Sequence, residues 1–169
     1  MRWLFNFNFL HSMKIRHNIS DFIFRHDIPV EAPVYDAILH YHLLPIHRVE
    51  QKLSCHVVPT LVGRHGGGGS VYRHPEHERE RDRSGTGSHT FKDKKGAGDY
   101  TVTDFTKFEK FLNVLVKETD FTRLCYYPNH NFIHCDYRAD TLKLFVDEGK
   151  GWQYVDKDDF FDEINEKGS

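Results

Sequence analysis

The sequence predicts an α+β protein, a small antiparallel sheet flanked by helices. Three observations carry that expectation. Phe105, Phe108, Phe111, Leu112, Leu115 and Val116 recur at helical spacing, with Lys107, Glu109, Lys110 and Lys117 on the wet side. Thr103 or Asp104 is placed to cap that helix. Residues 121–127 and 131–137 are rich in aromatic and β-branched side chains and are separated by Pro128-Asn129-His130, which reads as a hairpin. Leu142, Leu144 and Val146 then alternate as a further strand.

A chain of 169 residues has room for one domain with one core. Its 38% hydrophobic and 14% aromatic content argue against disorder. A net charge of −2 gives no global basic signal for nucleic acid. Cys55, Cys125 and Cys135 are odd in number and contain no CxxC pair. Neither a disulfide framework nor a cysteine zinc knuckle is therefore expected, and the chain reads as one folded in a reducing compartment.

From the N-terminus, Trp3, Leu4, Phe5, Phe7, Phe9 and Leu10 form an apolar run broken by Asn6 and Asn8. It is too short to span a membrane and lacks a small-residue cleavage site of the secretory kind. Residues 1–12 read as an extension, an added strand or an anchoring arm, through which other proteins could be met; a degenerate export signal is the alternative. Residues 13–140 read as the main domain, and 141–169 as a strand and helix packed on it. Ser20 can cap a short helix through Asp21–Phe24, and Val34, Ala37, Ile38 and Tyr41 mark another that Pro45 should kink or break. Ile46 to Leu53 continues as a second piece. His40, His42 and His47 are expected in surface or packing roles. Cys55 to Pro59 reads as a strand that Pro59 ends or places at an edge. Gly63 to Ser70, with four consecutive glycines, reads as a connector or a loop at the mouth of a site. Residues 74–83 are densely charged with mixed sign, a solvated helix or loop. Phe160, Phe161 and Ile164 could dock a last helix.

Two short segments carry the chemistry. One runs from Gly87-Ser88-His89 to Ala97-Gly98-Asp99, the other is Asn131-Phe132-Ile133-His134-Cys135-Asp136. They offer two histidines and a carboxylate, the ligand set of a catalytic zinc site with a fourth position left for water. On a strand, His134 and Asp136 point to the same face, and Cys135 points to the other, toward the core.

At these residues the chain resembles the M15 metallopeptidases, the group of D-Ala-D-Ala carboxypeptidases and murein endopeptidases. The blocks Ser70-Val71-Tyr72-Arg73, Ser88-His89-Thr90-Phe91, Ala97-Gly98-Asp99-Tyr100, and Tyr126-Tyr127-Pro128 leading into Phe132-Ile133-His134-Cys135-Asp136 stand in that family's order. The resemblance covers residues 14–138, Met13 standing where many family members begin. It implies a hedgehog/D-Ala-D-Ala peptidase-like fold. It also implies zinc on His89, Asp99 and His134, and an Arg73 that binds a substrate carboxylate or supports the polarised carbonyl. The spacing from His89 to Asp99 is longer than in many relatives. Lys92 to Lys95 look like an insertion, which leaves Asp93 as a lesser alternative ligand. Gly87 stands where the family's serine usually lies.

Asn131 occupies the place of the family's general base. Asp136 and His130 are the remaining candidates, and Asp136 reads equally as a partner that orients a ligand. The resemblance implies a zinc peptidase acting on the peptide part of bacterial peptidoglycan, a phage-type lysin or virion-associated endopeptidase. The expected location is the host cytoplasm before lysis or a virion, residues 1–12 serving as the contact with virion proteins. The other reading is a non-catalytic structural or binding virion component that keeps the fold.

Overall fold

The computed structural model describes residues 17–24, 28–60, 71–80 and 87–167. The N-terminal extension, the glycine loop 63–70 with Ser70, and residues 81–86 lie outside the described residues.

The chain enters through a 3-10 turn, Ile19–Phe22, capped by Asn18 rather than Ser20: the Asn18 N–H donates to Asp21 Oδ2 at 2.8 Å. Strand β1, Ile23–Phe24, follows. Helix α1, Ala32–Ile38, runs through a π-helical turn, Leu39–Leu43, directly into α2, Leu44–Leu53. Pro45 thus neither breaks nor ends the helix. Its missing N–H falls at the start of α2, after the hydrogen-bond ladder has widened. The edge strand β2, Val57–Pro59, then β3, Tyr72–Arg73, and α3, Pro75–Glu80, come next. The charged stretch is not wholly solvated, since His77 and Glu78 are buried.

After a 3-10 turn at Ser88–Thr90 come β4, Ala97–Val102; α4, Phe108–Glu118; β5, Arg123–Tyr127; and β6, Phe132–Asp136. Two strands, β7, Lys143–Val146, and β8, Gln153–Val155, and helix α5, Lys157–Lys167, complete the chain. Among the described residues the main sheet has six strands in the order β2-β4-β6-β5-β7-β8, larger than the small sheet expected. It is also not wholly antiparallel, because β7 lies parallel to β5. The parallel partner follows from the connection: β6 already occupies one side of β5, so the returning chain crosses over and pairs on the other. β1 and β3 form a separate parallel pair.

The helical stripe is core. Phe111, Leu112 and Leu115 are fully buried, with α4 lying beside α2 behind the sheet. Phe105 departs from it: it stands before α4 and is half exposed, stacked on Phe108. Asp104 is the residue that caps this turn, accepting from the Thr106 N–H. Phe160 and Ile164 of α5 are buried in the same core. Phe111→Ala should cost about 3–5 kcal/mol by cavity formation, read as a lower urea midpoint at unchanged slope.

Candidate metal centre and pocket

Strand register assembles the site. Asp99 on β4 lies directly opposite His134 on β6, and Asp136 lies between Ala97 of β4 and Arg123 of β5. Alternation along β6 then divides the labour as expected. Ile133 and Cys135 are fully buried in the core, while Phe132 and His134 line a pocket on the opposite face. On β4 the same alternation sends Tyr100 inward. Gly98 makes room for its ring, since a Cβ there would meet the Tyr100 hydroxyl at 2.4 Å.

His89 arrives from the 3-10 turn. Its Nδ1 lies 3.0 Å from the Val71 carbonyl, and its Nε2 lies 3.5 Å from Asp99 Oδ1. His134 Nδ1 meets the same oxygen at 2.8 Å, and its Nε2 meets Asp136 Oδ2 at 3.1 Å. Each ring therefore has one nitrogen held by an outer acceptor and the other turned toward Asp99. That arrangement fixes the tautomer in metal sites, where an outer carbonyl or carboxylate takes the N–H and leaves a lone pair for the ion. His89, Asp99 and His134 offer ligand atoms that all lie within 4.8 Å of one another, and they could hold a metal ion.

The electrostatics agree with that reading. Burial opposes ionisation of Asp99, but His89 and the His134 hydrogen bond outweigh it and hold its carboxyl well below the usual range. Burial pushes His89 down. It pushes His134 down too, yet the hydrogen bonds to Asp136 and Asp99 prevail and raise it. His134 stands between two carboxylates, a setting that favours positive charge, which a divalent cation would also supply.

Asp136 is fully buried. Burial alone would raise its pKa, but His134, Arg123 and the Arg138 N–H lower it to about 2. Arg123 grips the carboxylate with Nε, 3.0 Å from both oxygens, and with Nη2. Arg73 donates from Nη2 to Asp99 Oδ2 at 3.0 Å, with Glu78 Oε1 3.9 Å from Nη1. His130 lies on the exposed hairpin turn, its ring 6.2 Å from that of Phe132. Asp93 is turned away from the cluster. It accepts from the Gly96 N–H and from Arg138 Nε, and it is exposed.

The pocket, about 320 Å³, is lined by Arg73, Ser88, His89, Asp99, Arg123, Tyr127, Phe132, His134 and Trp152. Two of these residues were not singled out for the site in the sequence. Arg123 was within reach: a turn at 128–131 pairs it with Asp136 across the hairpin. Trp152 was not, because it reaches the pocket only through the parallel placement of β7 and the strand after it. Its Nε1 donates to the Tyr127 hydroxyl at 2.6 Å, its ring lies 5.2 Å from that of His134, and the Arg123 guanidinium sits 4.7 Å from its centre.

No family model, no curated protein and no solved structure matches this chain. Among the described residues, no helix is long and apolar enough to cross a membrane.

Proposed function

We propose that the protein is a zinc-dependent peptidase that cleaves peptide bonds of bacterial cell-wall peptidoglycan, a lysin or virion-associated endopeptidase of phage type. The observation that carries this reading is the convergence of His89 Nε2, His134 Nδ1 and Asp99 Oδ1 in a pocket, with both outer ring nitrogens already held. When bound, zinc lowers the pKa of a coordinated water to about 7 and polarises a carbonyl. The chain's own residues do the rest. Arg73, fixed by Asp99, places its positive charge beside the cluster, where it can attract a substrate carboxylate or developing oxyanion charge. Asp136 acts as a positioning residue: its oxygens are taken by Arg123, the Arg138 N–H and His134, so it holds the His134 ring. His130, near the pocket wall, is the remaining group for proton exchange. Trp152, Tyr127 and Phe132 supply an apolar wall against which a peptide can lie. The wall substrate rests on the resemblance of the ordered sequence blocks.

The test is release of new amino termini from purified peptidoglycan by the zinc-loaded protein. Activity that is removed by a chelator and restored by zinc supports the peptidase. A zinc-loaded protein that binds the wall without cutting it would leave a structural or binding component.

A further inference from the structure

We propose that His17, Glu50 and His56 form a second divalent-cation site, which clamps the chain at His17 onto the end of α2 and the start of β2. The three ligand atoms lie within 4.8 Å of one another, and the cluster shares no residue with the pocket cluster. His17 Nε2 is 3.1 Å and His56 Nδ1 is 2.5 Å from the same oxygen, Glu50 Oε1. The Val57 N–H donates to that oxygen as well, at 2.8 Å. The other oxygen, Glu50 Oε2, is buried and has no hydrogen-bond partner among the described residues.

A carboxylate serving only as an acceptor would spread three donors over two oxygens, since a bare buried acceptor costs about 1–3 kcal/mol. Crowding on one oxygen beside an empty one suits a carboxylate that shares an ion with two imidazoles. The rings stack 4.6 Å apart and 10° from parallel, which brings His17 Nε2 and His56 Nδ1 to the same carboxylate oxygen.

Two imidazole nitrogens and one carboxylate suit zinc, cobalt, nickel or copper better than calcium or magnesium. His17 Nδ1 lies 3.8 Å from Asp21 Oδ2, an outer carboxylate of the kind that orients a ligating ring. Access comes through His56, whose side chain is 34% exposed, against 3% and 4% for His17 and Glu50. The segment so clamped carries β1, which pairs with the Tyr72–Arg73 strand. An ion here would steady the strand from which Arg73 reaches the pocket.

Stoichiometry decides it. Chelator-treated protein is dialysed against zinc, and bound metal is measured by elemental mass spectrometry for the wild type, His56→Gln, His134→Ala and the double variant. Two ions in the wild type, one in each single variant and none in the double support the site. One ion in the wild type, kept by His134→Ala and lost in His56→Gln, supports it while removing the pocket metal. One ion kept by His56→Gln and lost in His134→Ala overturns it and leaves the pocket metal intact. No ion in any form overturns both. As a check independent of the His56 variant's folding, zinc should raise the melting temperature of His134→Ala, and no shift counts against the clamp.

Discussion

Replacing His134 with alanine is expected to remove one zinc ion per chain from the pocket and to lower peptidoglycan cleavage by roughly three orders of magnitude or more. The ring does two things at once. Its Nδ1 stands 2.8 Å from Asp99 Oδ1, in the ligand cluster, and its Nε2 links that cluster to Asp136. Alanine deletes the candidate ligand and also the ring that links two buried carboxylates. Asp136 keeps Arg123 and Asp99 keeps Arg73, so the strands should remain paired. Elemental analysis beside a wall-digest assay reads both effects. The informative control is His130→Ala on the exposed turn, which should keep its metal whatever it does to turnover. If His134→Ala retains the full wild-type complement of zinc and its activity, the pocket assignment fails.

The second large effect is acid lability through His42. This residue is fully buried, with Nδ1 2.7 Å from the Tyr100 hydroxyl and Nε2 2.8 Å from the Lys95 carbonyl. Burial lowers its pKa from 6.5 to about 3, against the raising influence of the Lys95 carbonyl. The native protein therefore leaves His42 neutral where the unfolded chain would protonate it. Stability from this group is complete above pH 6.5 and is lost progressively as pH falls toward 3. At 1.36 kcal/mol per pKa unit, the loss between pH 7 and pH 4 should be about 3 kcal/mol, a large share of a typical domain's stability. Urea denaturation of the wild type and His42→Gln at both pH values measures it. The variant should be weaker at pH 7, having lost part of the hydrogen bonding, but should lose about 3 kcal/mol less on acidification. Equal losses in the two proteins would show that other groups carry the acid sensitivity.

What could be read from the sequence was whatever depends on local period. The Phe108 to Leu115 stripe, the opposite facing of Cys135 and His134, the edge position of Pro59 and the hairpin about Pro128 all follow from side-chain alternation or from proline's missing donor. The grouping of His89, Asp99 and His134 was legible because these residues fall in ordered blocks, and the shared face of His134 and Asp136 because they lie two apart on one strand. What escaped depends on partners distant in sequence. Alternation at Leu144 and Val146 announces a strand but not that it will lie parallel to β5. Pro45 announces a disturbed helix but not the π-turn that accommodates it. His17, Glu50 and His56 carry no spacing signal, since three separate elements bring them together. Charge density at 74–80 concealed the burial of His77 and Glu78, which depends on what packs over α3.

The parallel pairing of β7 with β5 also fixes an order of events during synthesis. The candidate metal ligands His89, Asp99 and His134 all precede residue 137, yet the Trp152 wall is made by chain synthesised after them. Until then β5 is an open edge, with unpaired backbone groups available to any neighbouring nascent chain. Completion of the binding surface and protection of that edge are thus one event, and a product stopped near residue 141 would carry the ligand residues with neither.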